Sequence, residues 1–271
     1  MSEHDNPLTQ PAIVRDGLSD RLIGWIHGLV GLFITAIIVL VALPLVLIPV
    51  RRWTLPISNR TANIWSGTLT RLFGIRVDGP SRKEMTARTP CIFVSNHTSL
   101  LDLPILGTKL PGNVICLGKK ELLKVPFWGV FFWWSGHLLV DRSNRAKWQQ
   151  TMAEYERLIA EDRWSGLVFP EGTRSPDGQL RELKKGVFHM AINTRMPIQP
   201  VLVEGAAGLL PKGSLRVHPG HVKIRLLDRV ETDDWNVENV DSYKQQLEQM
   251  YLQALGQQKV LPSARRNKHK E

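Results

Sequence analysis

The chain has 271 residues and a formal net charge of +10, with 35 Lys and Arg against 25 Asp and Glu. That length accommodates one sizeable domain plus an appendage, and the cationic excess favours an anionic partner, whether nucleic acid, an anionic membrane surface or a phosphorylated substrate. Only two cysteines occur, Cys91 and Cys116, both inside apolar strand-like runs, so a disulfide framework is excluded and the thiols read as small buried hydrophobes, as suits a reducing compartment.

Residues 1–21 are polar, contain Pro7 and Pro11 and lack apolar periodicity, which predicts a flexible lead. From 22 to 50 there is no Asp, Glu, Lys or Arg, and the run is long enough to cross a bilayer as a helix. A secretory signal fits less well, because the run starts late and lacks a small-residue cleavage site before Arg51. Pro44 and Pro49 favour a re-entrant or half-inserted hairpin as the competing arrangement, with Trp53 and Trp65 near the interface; a buried core helix of a soluble protein is the third reading. Arg51, Arg52 and Arg60 follow the segment, and the positive-inside rule assigns what comes after it to the cytoplasm. Residues 59–75 read as an amphipathic helix, lying at the membrane surface or packing on the globular part.

From 75 to 256 short apolar runs alternate with helical stretches. Strands are predicted at 75–77, 91–95, 114–117, 138–140, 167–169, 198–203 and 222–227, and helices at 100–110, 146–161, 186–194 and 240–255. This alternation predicts an α/β domain with a mixed, largely parallel sheet flanked by helices, behind an N-terminal membrane-embedded helical segment (22–74). The end of the chain, 257–271, is basic, with Arg265, Arg266, Lys268 and Lys270; it reads either as a hold on anionic lipid or as a solvated end.

Four polar clusters follow predicted strands, and in an open α/β sheet ligands bind beyond the carboxyl ends of the strands. In the first, CIFVSNHTSLLD (91–102), His97 precedes Asp102 by five positions; an imidazole can take a hydroxyl proton if a carboxylate holds its tautomer. Ser99 and Asp102 also have the spacing of a helix capping box, which would leave Asp102 a purely structural role. The second is Lys119 and Lys120 after Gly118, point charges suited to phosphate but without the spacing of a nucleotide P-loop. Asp141 and Arg142 form the third. In the fourth, FPEGTRS (169–175), Gly172 permits a tight turn and Arg174 offers a planar fork for phosphate or carboxylate. Glu171 orients that arginine, bonds a substrate hydroxyl, or closes the turn through an internal ion pair with Arg174. If the strands are parallel neighbours, the four clusters converge on one edge. No G-x-S-x-G, H-E-x-x-H, paired Cys/His or G-x-G-x-x-G pattern occurs, so a nucleophile elbow, a zinc site and a dinucleotide fold lack support. No basic helix with interleaved aromatics supports a nucleic-acid partner. A histidine base, an arginine, lysines and a membrane segment together suggest transfer to a hydroxyl on an anionic, lipid-like acceptor.

Taken together, NHTSLLD (96–102), GKKELLKVPFWG (118–129), VDR (140–142), FPEGTRS (169–175) and PIQPV (197–201) closely resemble, in order and spacing, the 1-acyl-sn-glycerol-3-phosphate acyltransferases, and the N-terminal segment resembles that of the bacterial members. The resemblance implies a membrane enzyme that moves a fatty acyl group from acyl-CoA or acyl-carrier protein to the 2-hydroxyl of lysophosphatidic acid, forming phosphatidic acid. It implies no metal and no cofactor apart from that acyl donor as co-substrate, membrane lipids as partners, and a location at the inner membrane with the catalytic domain on the cytoplasmic side. His97 matches the family's general base and Asp102 its orienting partner. Arg174 matches a residue that binds the acceptor phosphate, with Glu171, Gly172 and Thr173 in the same motif. Lys119 matches the phosphate-binding lysine, with adjacent Lys120 as the alternative register. Phe127, Gly129 and Arg142 fall in the regions linked to acyl-chain placement or support. Amides at the start of the 100–110 helix are expected to hold the oxyanion. An acyltransferase for another lysolipid, and a non-catalytic scaffold on anionic membranes, are the competing readings.

Overall fold

The apolar run IFVS buries all four of its residues and forms the central strand, with Ile92 and Val94 facing one layer of the domain and Phe93 the other, as the two-residue period of a strand requires. A computed structural model describes residues 17–46, 51–125, 129, 132–133, 136–141, 143–175, 177–211 and 214–257, apart from the side chains of 42–53. Residues 1–16 of the predicted lead, Pro49, Phe127, Arg142 and the basic end after 257 lie outside these residues, whereas residues 18–21 of that lead are not a flexible stretch but the first turn of a helix.

The strands are β1 (Ile75–Asp78), β2 (Ile92–Ser95), β3 (Val114–Lys119), β4 (Leu138–Val140), β5 (Ser165–Val168), β6 (Ile198–Glu204) and β7 (Gly220–Leu226), in the order β1-β7-β6-β2-β5-β3-β4. β6, β2, β5, β3 and β4 run parallel. β7 is antiparallel to β6, and β1 is parallel to β7, so this outer pair opposes the rest. The mixed, largely parallel sheet is therefore the expected one.

Helices α5 (Arg145–Ala160), α6 (Gly186–Thr194) and α8 (Val240–Leu255) cover one face, where Tyr155, Phe188, Trp235 and Tyr251 pack on Ile92, Ile115 and Ile198. Each such buried apolar side chain contributes roughly 1.5–3 kcal/mol. The phenols within this layer are satisfied: Tyr251 donates to the Val94 carbonyl at 2.6 Å and Tyr155 to that of Ile115 at 3.1 Å. Gly166 on β5 makes room for the latter, since a Cβ there would lie 2.5 Å from the Tyr155 hydroxyl. The other face carries α4 (Asp102–Gly107), with Phe93, Ile105, Leu106 and Val203 in its core. Two short helices, α3 (Arg82–Thr86) and α7 (Ala206–Leu209), are too brief to show a sequence period; α3 is nonetheless announced by the capping box of Ser81 and Glu84.

α1 (Leu18–Val46) begins before the uncharged run, and Leu18–Val41 is long and apolar enough to cross a membrane. Trp25, Leu29 and Phe33 are exposed, and only 17 % of the span is buried, which removes the buried-core-helix reading. Its inward stripe includes small and polar residues beside the buried Val39: Gly24 lies against the backbone of Leu215 and Arg216, His27 accepts from the Val217 amide, and Thr35 accepts from the Trp65 indole at 2.9 Å. α2 (Arg51–Leu72) starts well before the predicted 59 and passes through Pro56. It packs on the globular part. Asn59 donates to the carbonyls of Gly112 and Val114, and Asn63 to those of Gly107 and Leu110. These anchors hold the helix despite the donor that Pro56 removes.

Candidate active site

Strand register sets the height of each polar cluster. Phe93, Leu167 and Cys116 are level across β2, β5 and β3, so Asn96, Pro170 and Lys119 leave the sheet at one height, and Asp141 follows β4 beside Lys119. The expected convergence is thus a consequence of five parallel strands in register. The 91–102 and 169–175 clusters occupy adjacent strands, and β3 lies about 10 Å from β2 by ordinary strand spacing.

His97 and Asp102 form the centre. His97 Nδ1 lies 2.8 Å from Asp102 Oδ2. A carboxylate oxygen accepts, so the ring proton sits on Nδ1 and Nε2 is left with its lone pair. The histidine side chain is 22 % exposed and that of Asp102 fully buried, so the pair is open on the imidazole side alone. Oδ2 also accepts from the backbone amides of Thr98 at 2.6 Å and Ser99 at 2.9 Å. The catalytic and capping readings of Asp102 therefore hold at the same time: one carboxyl group folds the turn and orients the ring. Because the turn consumes residues 98–101, α4 starts at Asp102 rather than at 100.

Part of the expected oxyanion donor set is engaged within the turn. The Thr98 and Ser99 amides are taken by Asp102, while the amides of Leu101 and Asp102 face the Ser99 hydroxyl and carbonyl. Those four amides are committed within the turn.

The 169–175 loop is fastened to the histidine from both sides. The His97 amide donates to Glu171 Oε1 at 2.7 Å, and the His97 carbonyl accepts from the Ser175 amide at 2.7 Å. Phe169 stacks on the imidazole with ring centroids 4.3 Å apart. Glu171 forms no ion pair with Arg174; its second oxygen accepts from the Arg181 amide at 3.1 Å. Gly172 turns the loop at φ +70°, where a side chain is strained. Thr173 is exposed and Arg174 half-buried, and Arg174 has no ion-pair partner among the described residues. Asn96, which opens the NHTSLLD motif and to which the sequence alone assigns no role of its own, is buried and exchanges two bonds with the Val203 backbone, extending β2 towards β6 by a side chain.

The two lysines separate. Lys120 pairs with Asp141 at 2.9 Å and donates to Ser143 Oγ, whereas Lys119 is exposed and unpaired among the described residues. The Ser143 hydroxyl, which donates to Asp141 at 2.6 Å, and after it Lys120 hold the Asp141 carboxyl down at about 2. Gly129 is buried against the backbone of Leu122 and Leu123 in the 3₁₀ turn Lys120–Lys124, where any Cβ would collide. A cavity of about 40 Å³ lies between α2, α4 and β3, bounded by Ser66, Leu103, Cys116 and Phe132. Burial pushes both thiols, Cys91 and Cys116, up to about 12, in line with their inert reading. Among the described residues no group of three or more His, Cys, Asp or Glu is arranged to hold a metal ion.

Burial, with a smaller contribution from nearby Asp102, raises the Glu171 carboxyl to about 7 against the lowering effect of its two amide donors. The folded state therefore keeps a proton that the unfolded chain releases near 4.5. The stabilisation is full below that value and is lost as pH rises through about 7, a change on the order of 3 kcal/mol. Denaturation at pH 5 and pH 8 should show this fall in the wild type and not in Glu171→Gln, whatever constant offset the amide introduces; parallel pH responses would refute it.

Comparison with known proteins adds three findings. The acyltransferase family profile matches residues 75–204. The 1-acyl-sn-glycerol-3-phosphate acyltransferase of Limnanthes alba is 32 % identical over 240 residues, covering 87 % of this chain and 85 % of that one; the Escherichia coli protein of the same name is 33 % identical over 174 residues, covering 64 % and 70 %. The crystal structure of the 1-acyl-sn-glycerophosphate acyltransferase of Thermotoga maritima superposes with a TM-score of 0.70 at 20 % identity, covering 87 % of this chain and 97 % of that one, and shares the fold.

Proposed function

Since the chain belongs to the 1-acyl-sn-glycerol-3-phosphate acyltransferase family, we propose that it acylates the 2-hydroxyl of lysophosphatidic acid to give phosphatidic acid, with acyl-CoA or acyl-carrier protein as the thioester donor and no further cofactor. The observation that carries the reading is the His97–Asp102 pair at 2.8 Å, with the arginine-bearing loop bonded to both the amide and the carbonyl of His97. His97 Nε2 takes the hydroxyl proton as the oxygen attacks the thioester carbonyl. The tetrahedral intermediate then collapses, and the thiolate leaves with the proton carried by the imidazolium. Asp102 keeps Nδ1 protonated and steadies the cation that forms.

In this reading Arg174 and Lys119, cations without an ion-pair partner among the described residues, receive the acceptor phosphate, while Lys120 serves the Asp141 turn. Glu171 acts from beneath the loop by fixing the His97 backbone. We place the acyl chain beside the turn Lys120–Lys124 that Gly129 packs against; the 40 Å³ cavity at Leu103, Cys116 and Phe132 is too small to hold it. The apolar α1 associates the enzyme with a membrane, and we place it at the inner membrane with the catalytic domain facing the cytoplasm.

Purified protein supplied with lysophosphatidic acid and either acyl-CoA or acyl-carrier protein should form phosphatidic acid with at least one donor. Absence of product with both, or faster acylation of a lysophospholipid with a larger headgroup, would overturn the assignment. Arg174→Ala should raise the apparent KM for lysophosphatidic acid about tenfold or more, as loss of a charge-assisted pair implies. Lys119→Ala should do likewise and Lys120→Ala much less; an unchanged KM with only kcat reduced in Arg174→Ala would refute the phosphate role.

A further inference from the structure

At the far edge of the sheet, three strands from β2, a groove of about 600 Å³ opens between α2, β1, the start of α3 and the end of α4. Its charged lining is cationic: Arg60 and Arg71 from α2, Arg76 from β1, Arg82 from α3 and Lys109 after α4. Among the described residues no carboxylate lines it. Of the acids at its margin, Asp78 pairs with the groove's own Arg76 at 3.4 Å as well as with His221 at 2.6 Å, and Glu84 caps α3 through Ser81 and attracts Lys109, which leaves the two α2 arginines as the least compensated charges. Arg82 donates to the Thr108 carbonyl, and Arg60, Arg71 and Lys109 have no ion-pair partner among the described residues. Like charges gathered around one groove repel, and a bound anion relieves that repulsion.

The walls select the kind of anion. Ile64 is 58 % exposed in the groove, Leu72 is 52 % exposed further along α2, and α2 packs against the outwardly apolar α1. No aromatic ring lines the groove among the described residues, so no surface is offered for stacking a nucleobase. Guanidinium forks beside apolar surface match a phosphate joined to acyl chains, since arginine pairs with phosphate in a bidentate manner while the chains stay against the apolar helices. We propose that this groove binds the phosphate headgroup of an anionic membrane phospholipid, at a site separate from the catalytic histidine, and so fastens the α1–α2 pair to the lipid surface.

The full chain can be tested by flotation with vesicles of phosphatidylcholine alone or mixed with phosphatidylglycerol. Arg60→Gln with Arg71→Gln should weaken retention on the mixed vesicles about fivefold per arginine removed. Retention on neutral vesicles, and transfer to monodisperse short-chain lysophosphatidic acid, should be unchanged. Arg71→Lys should restore only part of the loss of Arg71→Gln, because the ammonium lacks the fork. Full rescue by lysine, or an equal loss from Arg145→Gln with Lys147→Gln on α5, would reduce the effect to a diffuse charge field and overturn the site. Release from the mixed vesicles by CoA would assign the groove to a nucleotide phosphate and overturn the lipid. Melting of each variant in detergent distinguishes these outcomes from loss of folding.

Discussion

Replacing His97 by alanine is expected to lower acyl transfer by about 10³-fold or more while leaving the fold and membrane association intact. Nε2 is the nitrogen left with a lone pair by the Nδ1 to Asp102 bond. Without it, no positioned base takes the hydroxyl proton at neutral pH. The fold survives because the backbone of residue 97 keeps its amide bond to Glu171 and its carbonyl bond from Ser175, and Asp102 keeps the Thr98 and Ser99 amides as donors once the ring is gone. The ring itself is partly exposed and rests on Phe169. Acyl transfer measured beside thermal melting separates the two effects; turnover within tenfold of the wild type would remove His97 from the base role.

Asp102 should behave differently, because it serves two structures at once. Asp102→Ala leaves the His97 Nδ1–H and the Thr98 and Ser99 amides without their acceptor in a fully buried position. Unmet buried donors cost about 1–3 kcal/mol each, so a loss on the order of 4 kcal/mol is expected after local relaxation. Asp102→Asn keeps one acceptor oxygen and nearly the same shape. It should melt much closer to the wild type, because its amide oxygen can take the place of Oδ2 as acceptor for all three donors, yet lose on the order of 10²-fold in kcat, because a neutral amide does not steady the imidazolium that forms. Comparable melting of the alanine and wild-type proteins would show that the carboxyl group does not hold the turn. Comparable kcat of the asparagine and wild-type proteins would show that its charge does not steady the imidazolium.

Much of this arrangement is local, and local features were legible. The helices at Gly186–Thr194 and Val240–Leu255 coincide with their predicted bounds because an apolar period near 3.6 ends at clear breakers. All seven strands were visible as short apolar runs closed by polar residues. The spacing of His97 and Asp102 identified the pair, since five positions across one turn bring the groups together without help from the rest of the chain. Other features were not local. Glu171 offered three roles in the sequence, and the partners it takes, the backbone amides of His97 and Arg181, include one 74 positions away that no spacing rule reaches. Lys119 and Lys120 were adjacent and chemically equal until Asp141, on the neighbouring strand, claimed one of them.

By itself, then, the sequence determined which elements form, which residue types stand at the strand exits, and that the chain carries an apolar helix long enough to cross a bilayer. Hydrophobic period, turn chemistry and length are properties of a few consecutive residues, so they can be read in order along the chain. The tertiary structure alone decided the reversed direction of β1 and β7, the packing of α2 on α4, the partners of Glu171 and Lys120, and the cationic groove that gathers arginines from α2, β1 and α3. Each of these depends on which distant backbone or side-chain group is close enough to bond, and only the folded chain brings such groups together.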